Sequence, residues 1–211
     1  MSLFSAEARP AGLADLVGLL CGPGRIERFG AGDTARLDVP LPWPGREGAL
    51  RSLAAVRSVT LRPARRDDGD GGDDGEAAAG PGLRSAYRRD LVGLAGAWTC
   101  PAGAKRIPAG FQLDGAVLRL WALAAGMTDL RGGYVLLLDP LAPQTHGPLV
   151  AATTRAGLPP ARLEAGEHGV PGPALRIGGA RRLGRLAELV GPEPAALQPG
   201  DWPRLHGRSA A

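Results

Sequence analysis

Hydrophobic and polar residues alternate along the chain with two different periods. Leu37 and Val39 alternate with Arg36, and this pattern predicts a strand with one buried face. Apolar residues instead recur at helical spacing through residues 13–20 and 117–125. The chain is therefore predicted to combine helices with antiparallel strands, in the α+β class.

The predicted elements occur in the same order twice. Each half reads as helix, strand, strand, helix, strand, strand and helix, although the first strand of the second half, near 129–131, is very short. The other matching runs are 35–39 with 134–138, 48–56 with 148–156, 59–62 with 161–164, 83–84 with 175–176, and 88–95 with 181–187. We therefore expect two pseudo-symmetric αββαββα repeats, with helices on one face of antiparallel sheets.

This organisation divides the chain into two repeats, a connector and two ends. The acidic, glycine-rich insert 65–82 is expected to be disordered, because it has too little apolar surface to bury. The other segments are a flexible lead at 1–12, the first repeat at 13–98, the connector at 99–115, the second repeat at 116–191 and a Pro/Gly-rich tail at 192–211. Trp202 is expected to hold this tail against the body of the protein.

The charge of the chain favours a polyanionic partner. The 211 residues carry a net charge of +4, and the run 67–76 alone holds six acids and no base, so the rest of the chain is more basic. Lys105 is the only lysine. Because a planar guanidinium group suits bidentate phosphate binding, the preference for arginine favours nucleic acid. A GC-rich coding bias would explain the same preference without any binding role.

The sequence gives no sign of a metal site, a cofactor or a membrane segment. Cys21 and Cys100 fit no metal-site or disulfide spacing, which favours reduced thiols in the cytoplasm. The N-terminus lacks a secretory signal, and no apolar run approaches the roughly 20 residues that cross a bilayer. His146 begins a helix, but Thr145 is its simpler N-cap, and catalysis by His146 is not expected. We expect a cytoplasmic protein without a cofactor.

With this order of elements, the sequence resembles the LAGLIDADG homing endonucleases. In that family each half is αββαββα, and the first helices of the two halves pack closely through small residues. The resemblance rests on Gly18, Gly22, Ala122 and Gly126, which are small residues at matching positions of the two opening helices. It implies two LAGLIDADG-like repeats over about residues 13–191, with the repeat-interface helices crossing at these four residues.

The sequence departs from that family at the catalytic positions. In the family, an acid just before the final glycine of each opening helix holds the divalent cations. This sequence has Cys21 and Ala125 there, and neither offers the oxygen ligands that Mg²⁺ requires. The resemblance therefore implies a degenerate, non-catalytic protein, similar to the WhiA-type sporulation regulators. Those regulators add a C-terminal helix-turn-helix domain, which residues 192–211 are too short and proline-rich to form.

The resemblance implies that the two sheets form a saddle and that double-stranded DNA lies against their outer faces. Outward strand residues are therefore candidate contacts. The candidates are Arg36, Arg62, Arg84, Arg162 and Arg176, with Lys105 and Arg106 of the connector as further phosphate contacts. Arg62 matches Arg162, and Arg84 matches Arg176, in the order of the two repeats. Solvation alone would also place arginines at outward strand positions.

Two features weigh against DNA and keep other functions open. The run Tyr134–Leu138 is apolar on both faces, which a strand facing phosphates does not need. Asp38 and Glu164 also lie on the proposed binding face and would repel phosphate. A non-catalytic, regulatory DNA-binding protein is the leading hypothesis, and a protein-interaction module that uses Tyr134–Leu138 is the alternative. An enzyme of unrecognised type has the weakest support.

Overall fold

The structure is a computed structural model that describes residues 5–6, 9–64, 81–195, 197 and 201–203. The acidic run 67–76 and most of the predicted insert lie outside the described residues, as do parts of the predicted lead and tail. Within the described ranges, no helix is both long enough and apolar enough to cross a membrane.

In the described residues, the first half of the chain forms three α-helices and one four-stranded antiparallel sheet. Its elements are α1 (Val17–Cys21), β1 (Arg25–Phe29), β2 (Thr34–Pro40), α2 (Glu47–Val56), β3 (Leu61–Pro63), β4 (Gly82–Ser85) and α3 (Val92–Trp98). Short 3-10 turns lead into α1 and α3. The strand order of this first sheet is β1-β2-β4-β3, so β2 and β4 are central and β1 and β3 are edge strands.

The second half, over the part that the structure describes, also forms three α-helices and a four-stranded antiparallel sheet. Its elements are α4 (Gly115–Ala125), β5 (Gly126–Thr128), β6 (Tyr134–Leu137), α5 (His146–Arg155), β7 (Ala161–Leu163), β8 (Ala174–Ile177) and α6 (Ala180–Val190). The strand order of this second sheet is β5-β6-β8-β7, with β6 and β8 central. The predicted α+β class is confirmed.

The strand predicted near 129–131 lies elsewhere, because that segment forms a turn. Oδ1 of Asp129 accepts hydrogen bonds from the backbone N–H groups of Arg131 (2.9 Å) and Gly133 (2.7 Å). An aspartate that binds backbone groups shortly after it stabilises a turn at the expense of a strand. The predicted position is wrong, and β5 instead follows α4 directly.

Helix α4 runs through the core of the protein. Every residue of α4 except Arg119 is buried. Asp114 caps its N-terminus by accepting a hydrogen bond from the backbone N–H of Val117 (2.9 Å), and the indole N–H of Trp121 donates to the carbonyl oxygen of Leu137 (2.9 Å). A helix that is apolar on all sides needs cover on all sides, and α1, α2 and α6 pack around it.

Helices α1 and α4 cross at close range because glycine occupies the crossing. A Cβ atom on Gly18 would overlap the carbonyl oxygen of Val117. A Cβ atom on Gly22 would lie 2.9 Å from the Cβ atom of Ala125, which is closer than two such atoms approach in proteins. Gly18 and Gly22, predicted as interface positions from the sequence, therefore lie where the two helices meet.

Alternation along β2 separates a buried face from an outward face in the first sheet, as predicted. Ala35, Leu37 and Val39 are at most 1% exposed. Arg36 and Asp38 point to the other side and are partly exposed. The outward face of the first sheet is therefore open to solvent.

Strand β6 is buried on both faces. Tyr134 faces α4, because its hydroxyl group donates a hydrogen bond to the carbonyl oxygen of Ala122 (3.3 Å). The next residue, Val135, faces outward and is nevertheless fully buried, and every residue of Tyr134–Leu138 is at most 4% exposed. The run is apolar on both faces as predicted, but the alternative in which it meets a partner protein has no exposed surface to use.

The segment 164–173, between β7 and β8, approaches the turn that follows β5. Its Val170 is 2% exposed, and its His168 approaches Asp129, with Nδ1 3.8 Å from Oδ2. Asp129 in turn binds the guanidinium group of Arg176, which lies opposite Val135 on the outward side of β8. The outward side of β6 is therefore buried and its neighbour Arg176 is bound, whereas the outward face of the first sheet is open to solvent.

Replacing Gly18 with alanine is expected to lower the free energy of unfolding by about 3 kcal/mol, because the added methyl group forces α1 away from α4. Chemical denaturation followed by circular dichroism measures this loss. Gly48→Ala on α2 is the matched control, since nothing lies within 4 Å of a Cβ atom there. That control is expected to gain about 0.5–1 kcal/mol from helix propensity. Equal denaturation midpoints for the two variants would contradict the close crossing.

Candidate nucleic-acid interface

Charged side chains form a row across the outward face of the first sheet. The strand register places Arg25 opposite Asp38, Asp38 opposite Arg84, and Arg84 opposite Arg62. Directly opposed residues of antiparallel strands share a face. Arg36 lies two residues before Asp38 on β2 and shares this face as well. The predicted outward positions Arg36, Arg62 and Arg84 are therefore brought together on one surface.

The acids in the strands of this face are paired with neighbouring arginines. Oε1 of Glu27 accepts a hydrogen bond from Nε of Arg36 (2.6 Å), and Oδ1 of Asp38 lies 3.4 Å from Nε of Arg84. These pairs offset the negative charge that was expected to repel phosphate at Asp38. Among the described residues, Arg62 has no hydrogen-bond or ion-pair partner, so its guanidinium group is available to a ligand.

An open groove of about 900 Å³ lies beside this row, at the β3 edge of the first sheet. Five arginines and, among the described residues, no carboxylate line it. The arginines are Arg36, Arg51, Arg62, Arg84 and Arg88. Because Arg51 belongs to α2, the groove extends from the outward face of the sheet around β3 to that helix. A concave surface lined by side chains of one charge raises the local concentration of counterions.

The arginines of the groove differ in how firmly they are held. The guanidinium group of Arg88 donates to both carboxylate oxygens of Asp90 (2.9 and 2.5 Å) and to the carbonyl oxygen of Ser58 (2.5 Å). The hydrogen bonds from Arg88 hold the pKa of Asp90 below its usual range. Arg51 is exposed and, like Arg62, contacts no polar partner among the described residues. The side chain of Arg88 is therefore held in place by its hydrogen bonds, while the side chains of Arg51 and Arg62 are free to reorient toward a phosphate.

The second sheet does not present a matching row. The register places Arg176 opposite Val135 but Arg162 opposite Leu175. Arg162 and Arg176 therefore lie on opposite sides of the sheet, since a one-residue shift in register exchanges the faces of a strand. The predicted match of Arg62 with Arg162 is wrong, and Arg162 is not an outward partner of Arg176.

Arg176 faces outward, as predicted, but it is engaged within its own half. Its guanidinium group fills the space over Gly133 and Gly178, where added Cβ atoms would lie 2.6 and 2.7 Å from its nitrogen atoms. It also binds the carboxylate of Asp129. Burial raises the pKa of Asp129, but the hydrogen bonds from Arg176 and the backbone outweigh burial and leave this pKa below its usual range. Arg176 is therefore a fixed part of the second half.

Lys105 is buried between the two halves, so its predicted role as a phosphate contact is wrong. Its side chain is 10% exposed. The ammonium group donates to the carbonyl oxygens of Gly22 (2.5 Å) and Gly24 (2.8 Å) and to Oδ2 of Asp139 (3.1 Å). Burial lowers the pKa of Lys105, and the attraction of Asp139 opposes that shift. Since an ammonium group has three hydrogens, all of them are used here.

Arginines cap the C-termini of three further helices, where unpaired carbonyl groups attract cations. They are Arg46 at α4, Arg106 at α3 and Arg119 at α6. Arg46 is 1% exposed, and its guanidinium group lies 2.6 Å from the carbonyl oxygen of Gly126. Nε of Arg106 donates to the carbonyl oxygen of Ala97 (3.0 Å), so this side chain, predicted to contact phosphate, is used by the end of α3.

The positions at which a LAGLIDADG nuclease carries its acids lie where the C-termini of α1 and α4 converge. Cys21 and Ala125 are at most 1% exposed. Burial raises the pKa of the Cys21 thiol, which therefore stays protonated at neutral pH. His146 is buried, with Nε2 2.9 Å from the carbonyl oxygen of Asp139. Over the residues that the structure describes, no group of three or more His, Cys, Asp or Glu side chains could hold a metal ion.

Comparisons of the sequence with known proteins do not assign it to a family. No protein-family model matches the chain, and no curated protein matches it significantly. The resemblance to the LAGLIDADG fold therefore stays a prediction, carried by the small residues at the helix crossing and by the order of the elements.

Sequence patterns alone did not single out Arg51, Arg88 or Tyr87 as part of the groove. Arg51 lies on α2, and only the packing of α2 against β3 brings it beside Arg62. Tyr87 and Arg88 lie two and three residues after the end of β4, so an aromatic residue next to a cation shortly after an outward arginine was the available signal. The outward faces of β2, β3 and β4 could be predicted from local alternation, but the position of Arg51 beside Arg62 depends on the tertiary packing of α2.

Replacing Lys105 with methionine is expected to lower the free energy of unfolding by about 3 kcal/mol, because it leaves the carboxylate of Asp139 buried without a cation. Urea denaturation at pH 7 measures this loss. Arg106→Met is the matched control, since Arg106 is exposed and its loss is expected to cost less than about 1 kcal/mol. Similar losses for both variants would show that Lys105 does not hold the halves together.

Proposed function

We propose that this protein binds double-stranded DNA without acting on it chemically, and that its role is regulatory. The outward face of the first sheet and the groove beside it form the proposed binding surface. The observation that carries this proposal is the groove itself, which five arginines line with no carboxylate among the described residues. Two of these arginines, Arg51 and Arg62, have no polar partner among the described residues, so their charges are available to a ligand.

The chemistry of the groove suits a phosphate backbone. Guanidinium groups bind phosphate oxygens through two parallel hydrogen bonds, and most contacts between proteins and DNA are made to the backbone. Arg62 on β3 and Arg51 on α2 both line the groove with unused donors. Arg36 and Arg84, although paired with acids, extend the positive row toward the centre of the sheet. We infer that the backbone of one DNA strand follows this row.

The LAGLIDADG-like fold is part of the same proposal. Both halves have the element order αββαββα, both sheets have the same strand order, and α1 and α4 meet at Gly18 and Gly22. These features support two pseudo-symmetric repeats derived from a saddle that once used both sheets. In the second sheet Val135 is fully buried and Arg176 is bound to Asp129, so we propose that DNA lies mainly against the first sheet.

The absence of catalysis is proposed on the chemistry of two positions. Cys21 and Ala125 replace the acids that hold divalent cations in the family that the sequence resembles, and neither side chain supplies an oxygen ligand. Lys105 and Arg46 place their positive charges at the adjacent helix ends. A cytoplasmic location and a regulatory role are predictions from the sequence that accompany this proposal.

Binding to random duplex DNA, measured by fluorescence anisotropy across a salt series, tests this function. We expect log affinity to fall linearly with log salt concentration with a slope of about −3 to −5, because each neutralised phosphate contributes about −0.9. Absence of binding at low salt, or binding that is independent of salt, would contradict the proposal.

Arg62→Ala is expected to weaken binding uniformly across DNA sequences and to reduce the salt slope by about 1. Arg162→Ala is the matched control, since it removes the same charge from an exposed position on an edge strand of the other sheet. We expect Arg162→Ala to leave both affinity and slope unchanged. An equal effect of the two substitutions would show that net charge, and not the surface of the first sheet, drives binding.

A further inference from the structure

An aromatic pair lies beside the groove on the first half. The rings of Phe29 and Tyr87 pack against each other with their centroids 4.8 Å apart and an angle of 36° between their planes. The guanidinium carbon of Arg36 lies 4.5 Å from the centre of the Tyr87 ring. Tyr87 and Arg36 both line the groove as well. The aromatic pair is therefore continuous with the arginines that are proposed to bind phosphate.

Contacts on the outward face fix the Tyr87 ring and leave Phe29 exposed. The Tyr87 hydroxyl donates to Oε1 of Glu27 (3.3 Å), which also accepts the hydrogen bond from Nε of Arg36 (2.6 Å). Phe29 ends β1 on the same outward side and is 50% exposed. Aromatic residues make up only 4% of the chain, yet two of them pack together beside this groove.

We propose that the Phe29–Tyr87 pair binds an unpaired nucleobase of the nucleic acid whose backbone occupies the groove. This inference rests on the proposed function and deepens it. Every base has a π face that stacks on aromatic rings, so the pair accepts any of the bases. The bases of a fully paired duplex are already stacked on each other, whereas a single-stranded extension or an extruded base offers a free face.

The arrangement divides the contacts between the two parts of the nucleotide. Arg62 and Arg51 in the groove bind phosphates, while the Phe29 ring provides the stacking surface beside them. Arg36 lies on the Tyr87 ring and belongs to the groove, so it links the two surfaces. The preferred ligand is therefore a duplex that carries an unpaired stretch.

Three DNA ligands separate base stacking from phosphate binding: a blunt duplex, the same duplex with a single-stranded extension, and the same duplex with an abasic extension of equal length. Anisotropy measures their affinities at one salt concentration. Since stacking on an aromatic ring changes affinity roughly five- to 150-fold per base, we expect the natural extension to bind at least about fivefold more tightly than the blunt duplex. The abasic extension is expected to lose this preference.

Variants of Phe29 test the residue that we assign to stacking. Phe29→Ala is expected to reduce the ratio of extended to blunt affinity to about one, whereas Phe29→Trp retains the preference because it keeps an aromatic ring. Leu141→Ala is the control, since Leu141 is 66% exposed at the end of the second sheet, and it is expected to leave the ratio unchanged. Quenching of a 2-aminopurine in the extension, lost in Phe29→Ala, gives a second readout that reports stacking directly.

The outcomes separate this inference from the function on which it rests. Salt-dependent binding of the blunt duplex with no preference for the extension, or an equal preference for the abasic extension, overturns the base-binding inference alone. Failure of every ligand to bind overturns both proposals. The same extension made of RNA identifies which nucleic acid supplies the base, and a preference that depends on Phe29 in either form supports the stacking site.

Discussion

The convergence of two helix C-termini is the constraint on which the rest of the structure depends. Gly18 and Gly22 let α1 and α4 approach so closely that the partial negative charges of both helix ends meet in the core. Buried carbonyl groups without donors are costly, so the fold needs cations at this point. Lys105, from the connector, binds the end of α1 together with Asp139 of the second half, and Arg46 of the first half binds the end of α4. The contacts that neutralise the partial negative charges of these helix ends therefore also join the two halves of the protein.

This constraint divides the basic residues of the chain into two groups. Lys105, Arg46 and Arg106 donate hydrogen bonds to carbonyl oxygens at helix ends, so these donors are already used within the protein. Arg62 and Arg51 line the groove without partners among the described residues, and they belong to the surface that we propose for DNA. A high arginine content is therefore a poor measure of nucleic-acid binding unless the arginines with structural roles are set aside.

The order of helices and strands and the close helix crossing could be predicted from the sequence, because both follow from local spacing and small residues. The sharing of one face by Arg36, Arg62 and Arg84 also followed from alternation. The face of Arg162 could not be predicted reliably, since it depends on a one-residue register within a three-residue strand. Burial of Lys105 depends on groups far apart in the sequence, and no local pattern distinguishes it from an exposed cation.

The most direct test of the central claim is a nuclear magnetic resonance titration that follows the Nε–Hε signals of the arginines as duplex DNA is added. We expect the signals of Arg36, Arg62 and Arg84 to shift in proportion to the fraction of protein bound, while those of Arg162 and Arg176 stay in place. Shifts centred on the second sheet, or no shift of any arginine at concentrations that saturate binding, would contradict a DNA surface on the first sheet.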